Sequence, residues 1–454
     1  MELYVQRILS TVEADGRALT RRKQFLLERL DAEFIGTTDL PAERENSPLL
    51  LYQERDNYIA LDLPTGVLAG KQLGDDDGAV WGLARPELLL GLGERVTVVA
   101  VYRWRIGPER ETNISGGKPS PRERSWRGLV SELEKSVLSV SGDSWRLSVG
   151  RDYLHWGSGR EGGLLVSETA HSIDHVAAAV SIGRLSFHAV HALLDPEFPR
   201  RFSGHRLTIR LPRGIFLGVG ETVVYTGRDV EFSYLLPFSI FYANQYNEAE
   251  DDNILWGLDL KVPVTRGLIL YGELLIDDFQ YESDPPAPNR LGFNFMAEAM
   301  VTVVGREIEL LAGYTFIDIY TYAHKDSLLT RYVTGTGDPS ADFLIGSPLG
   351  PDADRWSARI SVPLHHRLET VFMAGFARRG EGNDLREWDR ATDPDPAFPS
   401  GEVEKETLLS LFGTFDFGAG SYVKAGGGWR HIEGGAQGLD EKDWFLYLEA
   451  ILDF

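Results

Sequence analysis

From about Leu49 to its end the chain alternates apolar and polar residues with a period of two, the pattern of strands whose faces meet different surroundings. The stretch 95–105 sets Val96, Val98, Ala100, Tyr102 and Trp104 against Arg95, Thr97, Arg103 and Arg105. Residues 145–152 set Trp145, Leu147 and Val149 against Arg146, Ser148 and Asp152, and 205–211 set Leu207, Ile209 and Leu211 against Arg206, Thr208 and Arg210. In 268–278, Leu268, Leu270, Leu274 and Ile276 oppose Glu273 and Asp277; in 307–316, Ile308, Leu310, Ala312, Tyr314 and Phe316 oppose Glu307, Glu309, Gly313 and Thr315. Trp356, Ala358, Ile360 and Val362 repeat the scheme. The chain ends on it too, with Trp444, Leu446, Leu448, Ala450, Leu452 and Phe454 in one unbroken apolar row.

These stretches are about ten residues long, closer to the ~9–11 of a tilted membrane-crossing strand than to the ~5–6 of a soluble one. Aromatic residues stand at the ends of the apolar rows (Tyr102, Trp104, Phe316, Trp356, Trp444), where two membrane interfaces would lie. Arg and Glu in the middle of the polar face suit a wet or plugged lumen and would be costly in the core of a soluble sandwich, the rival all-β fold. Turn sequences SGDS (141–144), LPRG (211–214), TRG (265–267) and FGAG (417–420) alternate with polar stretches at 106–125, 280–290, 335–354 and 379–403. That is the alternation of short periplasmic turns with long outer loops. The expected fold is all-β: a transmembrane antiparallel barrel over residues 49–454, with about 16–18 strands if each takes ~20–25 residues with its loop. The last strand is expected to close it and to be read by the barrel insertion machinery.

Residues 1–40 follow another rule. Tyr4, Ile8, Leu9, Val12, Leu19, Phe25, Leu26, Leu27 and Leu30 recur at helical spacing, broken at Gly16, and predict a short helical segment. It serves either as a plain amphipathic cap or as a periplasmic plug. The start, MELYVQRILS, shows no basic segment followed by a long apolar core. The expectation is that the numbering begins at the mature protein or that the gene start is misplaced.

Composition narrows the classes further. The 454 residues carry a net charge of −22, which speaks against nucleic acid as a partner, since phosphates need a basic surface. Cysteine is absent, which removes disulfides, thiol catalysis and thiolate metal sites. Mean hydropathy is −0.19 and no apolar run is long enough for a membrane helix, which argues against helical spans but not against a barrel with a polar interior. The 22 Phe, 17 Tyr and 10 Trp are a good supply for aromatic girdles.

Two central stretches break the alternation: GRDYLHWGSGREGGLLVSETAHSIDHV at 150–176 and YTGRDVEFSYLLPFSIFYANQYNEAEDDN at 225–253. The first gathers Arg151, Asp152, His155, Trp156 and Arg160 among glycines. Trp beside Arg and Asp is what a sugar-binding surface uses, an aromatic face for the ring and planar donors and acceptors for its hydroxyls. The same residues would equally build an inward-folded constriction. A catalytic reading finds little support, and no catalysis is expected. Ser158 sits in GSG rather than G-x-S-x-G, and Gly142-Asp143-Ser144 falls in a predicted hairpin turn. Ser167, His155, His171, Asp174 and His175 would need a geometry that spacing does not supply. Asp251-Asp252 and Asp277-Asp278 lack the spaced ligands of a hard-cation loop and read as solvated acids. GVGE at 218–221 lacks the third glycine of a dinucleotide fingerprint. No cofactor or metal is expected.

The run from Gly150 to Gly159, the run LLVSETA from Leu164 to Ala170, and His205-Arg206 carry a resemblance, joined by Glu221, Tyr225, Tyr234, Pro237, Asp252-Asn253 and Asp277-Asp278-Phe279. Over about 143–281, roughly a third of the chain, the sequence resembles the Wzi-type capsule-assembly family of outer-membrane barrels. The resemblance implies an eighteen-stranded barrel with a periplasmic helical plug, a surface lectin that helps hold capsular polysaccharide at the bacterial outer membrane. Its expected partners are surface polysaccharide and outer-membrane lipids, besides the insertion machinery during biogenesis. His205, Arg206, Glu221 and Tyr225 thereby join Arg151, Asp152, His155, Trp156 and Arg160 as candidate ligand-binding residues. The alternative is a porin or substrate-specific channel, with Arg103, Arg105, Arg146, Arg206 and Arg210 facing Glu273, Glu307 and Glu309 across an open lumen. Whether 150–176 and 225–253 fold inward and fill that lumen separates the two readings.

Overall fold

The computed structural model describes residues 49–73, 78–93, 95–107, 124–160, 162–195, 200–236, 238–248, 251–278, 288–324, 330–334, 343–385, 388, 397–418 and 420–453. The predicted helical segment at 1–40 lies outside these residues, as do Pro237, Phe279 and Phe454.

Eighteen strands among the described residues form one closed antiparallel wall. β1 runs as Asn57–Asp62 and Thr65–Leu73, and β2 as Ala79–Ala84 and Glu87–Leu92. Each is split at a proline, Pro64 or Pro86, which has no N–H to give the ladder. Then follow β3 (Val96–Ile106), β4 (Leu129–Ser141), β5 (Trp145–Asp152), β6 (Ile173–Ile182), β7 (Leu185–Asp195) and β8 (Arg200–Arg210). The middle of the wall is β9 (Phe216–Tyr225), β10 (Asn253–Thr265), β11 (Leu268–Asp278), β12 (Arg290–Val303) and β13 (Arg306–Ile317). The wall ends with β14 (Ala353–His365), β15 (Leu368–Arg379), β16 (Glu404–Gly418), β17 (Ser421–Gly434) and β18 (Leu439–Leu452). β18 pairs with β1 from Trp444↔Leu73 to Leu452↔Thr65, so the sheet has no free edge along this seam. A short strand, Leu50–Glu54, pairs with Asn57–Leu61 and prolongs the seam.

The alternation sorts as expected. Trp444, Leu446, Leu448 and Leu452 of β18 are exposed on the outer face, as are Val219, Trp256, Leu258 and Leu260 of β9 and β10. Exposed apolar rows of this kind are the lipid-facing band of a membrane barrel. No helix among the described residues is long and apolar enough to cross a membrane. The predicted turns at 141–144, 211–214, 265–267 and 417–420 all fall at one end, and the long connections all fall at the other. In outer-membrane barrels the short-turn end is periplasmic. One strand is longer than its pattern: 205–211 extends back to Arg200. Phe202, on the lumen-facing row, is fully buried, so an apolar residue stands where the alternation demands a polar one. The main hydrophobic core is inside the barrel, where two connections fold in from the long-loop end.

Candidate functional site

The first inward connection joins β5 to β6. Trp156 and Val166 pair as a β-bridge, with Trp156 N–H donating to Val166 O at 2.9 Å, and close a loop whose tip descends into the lumen. Trp156 is 3% exposed. Its ring lies on the bare backbone of Gly204 in β8, where an added Cβ would come within 2.8 Å of the indole. Leu165 lies likewise on Gly257 of β10, where a Cβ would stand 2.9 Å away. The wall is glycine here because the loop must approach it closely. Glu273, predicted to face the lumen, accepts the N–H groups of Gly159 at 2.6 Å and Leu164 at 2.9 Å and so fastens the loop to β11.

The second inward connection joins β13 to β14, and the sequence reading missed its role. Tyr322 Oη donates to Leu164 O at 2.6 Å and Tyr332 Oη to Leu165 O at 2.8 Å. Tyr332 Oη also meets Thr222 Oγ1 of β9 at 2.9 Å, and Ser167 N–H donates to Ile345 O at 2.7 Å. Tyr322 adopts a φ of 69°, a left-handed conformation unusual for a tyrosine, and its N–H donates to Asp277 Oδ2 at 2.6 Å. A signal was present: the run from Ile317 to Tyr322, IDIYTY, is too apolar and aromatic for a solvated loop. Between the loop, Arg206, Asp259 and Glu273 remains a cavity of about 10 Å³, no larger than one water molecule.

Lumenal charges are paired with neighbours on adjacent strands or with the plug, and are not segregated across an open bore. Arg206 meets Asp259 at 2.6 Å, Arg359 meets Glu309 at 2.6 Å, and Arg430 meets Glu406 at 2.6 Å. Arg103 pairs with Glu134, and Arg160 reaches Glu298 and Glu309, each at 3.6 Å. The transverse field of the channel alternative is therefore absent around Arg103 and Arg206.

The structure does not bring the nine candidate residues into one site. Trp156, Arg160 and Arg206 belong to the plug and lumen, and Asp152 pairs with Lys135 at 2.7 Å. Arg151 continues the outer row of Trp145, Leu147 and Val149 and forks onto Asp174 with two bonds of 2.7 Å. His205, Glu221 and Tyr225 also point outward. Strand alternation puts Gly204, Gly220 and Thr222 inside and their neighbours outside, a parity readable from Val219, Glu221, Val223 and Tyr225 in the sequence. Glu221 accepts from Phe241 N–H at 2.9 Å, Tyr242 N–H at 3.0 Å and Trp256 Nε1 at 2.7 Å, with His205 Nε2 at 3.5 Å. Thus 150–176 folds inward and 225–253 folds outward.

His155, the remaining candidate, forms an ion pair with Glu168 within the plug loop. The Glu168 carboxylate holds the imidazolium above the usual histidine range, and His155 in turn holds Glu168 below the usual carboxylate range. The pair is intact between those two values. Its stabilisation is lost as pH rises through the raised His155 value and, at the acid end, as pH falls through the lowered Glu168 value. In histidine NMR of the detergent-solubilised barrel, His155 is expected to titrate above ~6.5. Glu168→Gln is expected to carry it below that value, because burial is then the largest influence on the ring, with Glu273 and Arg206 opposing one another.

The residues weighed for catalysis or cation binding have other partners. Ser158 Oγ donates to Leu260 O at 3.1 Å and Ser167 Oγ meets Thr169 Oγ1 at 2.6 Å, so neither hydroxyl meets an imidazole. His171 lies 3.5 Å from Glu132, and His175 Nδ1 meets Ile173 O at 2.9 Å. Asp252 is held by Arg228 and by Tyr234 Oη, the latter at 2.6 Å, and Asp277 takes the Tyr322 amide. Among the described residues no cluster of three or more His, Asp or Glu is placed to hold a metal ion.

A closed eighteen-stranded wall with a lipid-facing apolar band and two connections packed inside it from its long-loop end defines an outer-membrane β-barrel. Comparison with known proteins gives the particular lineage. The family described as capsule assembly protein Wzi matches residues 125–442, and the chain belongs to that family. Among solved structures the chain is similar to Wzi of Escherichia coli, described as an outer-membrane protein involved in group 1 capsule assembly and a carbohydrate-binding β-barrel. Identity is 12% and the TM-score 0.62, over 99% of this chain and 92% of that one. OccAB2 of Acinetobacter baumannii is similar at 9% identity and a TM-score of 0.51, over 87% of this chain and 98% of that one. The outer membrane protein opdK of Pseudomonas aeruginosa is similar at 12% identity and a TM-score of 0.50, over 87% and 99%. At such identities these likenesses concern the fold alone. No curated protein matches the chain in sequence.

Proposed function

We propose that this barrel binds surface polysaccharide at its outward end and retains it at the outer membrane, without catalysing a reaction. The observation that carries the reading is the plug. With Trp156, Leu164 and Leu165 packed against the wall and Tyr322 and Tyr332 bonded over them, the lumen beside β8 to β11 is packed with side chains, which supports the outward surface as the working face. The description of the E. coli relative as carbohydrate-binding supports the same ligand class. His155, Glu168 and the half-exposed Tyr153 are plug groups suited to meet sugar there, with two charged partners for hydroxyls and one aromatic ring. Asp152, beside them at the end of β5, adds a carboxylate.

The test is made on cells lacking the gene, by measuring the ratio of cell-bound to shed polysaccharide. Normal synthesis with release into the medium, reversed by the wild-type gene, is the expected result. Unchanged retention would end the polysaccharide reading while leaving the barrel intact.

A further inference from the structure

We propose that the connection 226–252, between β9 and β10, is embedded in the outer leaflet of the membrane, with lipid acyl chains as its partner, rather than displayed to the medium. Val219, Glu221, Val223 and Tyr225 share the outer row of β9, with Leu258, Trp256 and Ile254 opposite on β10. Val219, Trp256 and Leu258 are exposed to the lipid side, whereas Glu221, Val223 and Tyr225 are buried. What buries them is this connection, which turns back over the outside of the wall. Its two helices, α1 (Phe232–Leu235) and α2 (Phe241–Glu248), place Tyr234 and Phe241 against Val223, Tyr225 and Ile254. The contacts spread across several strands. Phe238 meets Phe187 of β7 at 4.8 Å between ring centroids, Phe241 meets His205 of β8 at 4.5 Å, and Tyr242 meets Trp256 of β10 at 6.1 Å.

The outer surface of this connection is unlike that of a solvated loop. From Phe232 to Asn247 the sequence has no charged residue. Phe232 is 77% exposed, Phe238 84% and Tyr246 80%, with Leu236 and Ile240 exposed between them. Such a patch is unfavourable against water, yet it is continuous with the exposed row of Val219, Trp256 and Leu258. The buried charges at the base of the segment are neutralised as a lipid setting requires, while Asp229, Glu248 and Asp251 at its two ends stay exposed. Arg228 is paired with Asp252, which also accepts from Tyr234 Oη, and Glu221 is covered by two backbone N–H groups and the Trp256 indole. Glu221 lies four residues in from Tyr225, ~13 Å along the strand, so α2 begins well inside the rim and not above it. Phenolic and amide groups at Tyr242, Tyr246 and Asn247 suit the boundary between acyl chains and headgroups.

The absence of cysteine permits a clean test on the full chain. Phe238→Cys and Tyr246→Cys are labelled with an environment-sensitive fluorophore and reconstituted in vesicles of plain or chain-brominated phosphatidylcholine. Leu446→Cys, on the lipid-facing row of β18, and Glu402→Cys, in an exposed loop, are the membrane and water references. Bromine quenching at Phe238 comparable to that at Leu446, about two-fold or more, is expected for side chains within the acyl region. Quenching no greater than at Glu402 overturns the proposal. A label shielded from aqueous iodide yet untouched by bromine also overturns it, since a protein surface, such as a second copy of the chain, would then be the cover.

Discussion

Replacing residues 157–165 by a short glycine–serine link is expected to convert a closed barrel into a conducting one. This segment delivers Leu164 and Leu165 to the lumen, and its removal exposes the bare wall at Gly220 and Gly257. Glu273 then loses both backbone donors, and Tyr322 and Tyr332 lose their carbonyl acceptors. A buried carboxylate stripped of its donors, beside two phenols that each lose a carbonyl acceptor, draws in water, because an unpaired buried polar group costs ~1–3 kcal/mol and a charged one more. Planar-bilayer recording is the measurement: no steady step from the wild type, and ohmic steps from the variant. Steady conductance from the wild type would mean that the plug does not seal, and the channel alternative would take over.

Trp156→Ala is expected to destabilise the barrel by about 3–5 kcal/mol, the range for truncating a large buried aromatic. The indole packs between Gly204 and the plug core, so its truncation leaves a cavity there. Trp156→Phe, which keeps an aromatic face, is expected to cost much less. Urea unfolding in lipid vesicles, followed by the loss of heat-modifiable mobility on gels, gives the stability difference. Glycan binding by the residual folded protein separates packing from recognition. A platform for sugar would show unchanged stability with lost binding, whereas a plug anchor shows the reverse.

The legibility of this chain varied with the medium each side chain meets. The strands 145–152 and 268–278 were readable to the residue, because lipid on one face and a charged lumen on the other impose the sharpest period-two contrast. The strand around His205 was read short, because Phe202 faces a lumen that is apolar there. The candidate site was legible only in part. Trp156 and Glu273 were visible as unusual residues in their rows, but the loop they hold is bonded at Leu164 and Leu165 by Tyr322 and Tyr332, more than 150 residues further along from Trp156. Those tyrosines sit in a connection whose neighbouring stretch, 335–354, reads as polar.

By itself the sequence determined the all-β class, the barrel and the faces of the seven strands whose alternation is clearest. Period, strand length and the closing apolar row are local quantities, set by which medium each successive side chain must meet. It also determined the family, through the run from Gly150 to Ala170. Only the tertiary structure decided that the barrel is plugged, that two connections share the plugging, and that the candidate residues divide between lumen and outer wall. The difference is physical. A period records that a residue faces away from lipid, but whether that space holds water or a packed side chain depends on contacts between strands and loops distant in sequence. Glu221 is the sharpest instance. A carboxylate on the lipid row has no local explanation, and only the returning α2, with its two free N–H groups, supplies one.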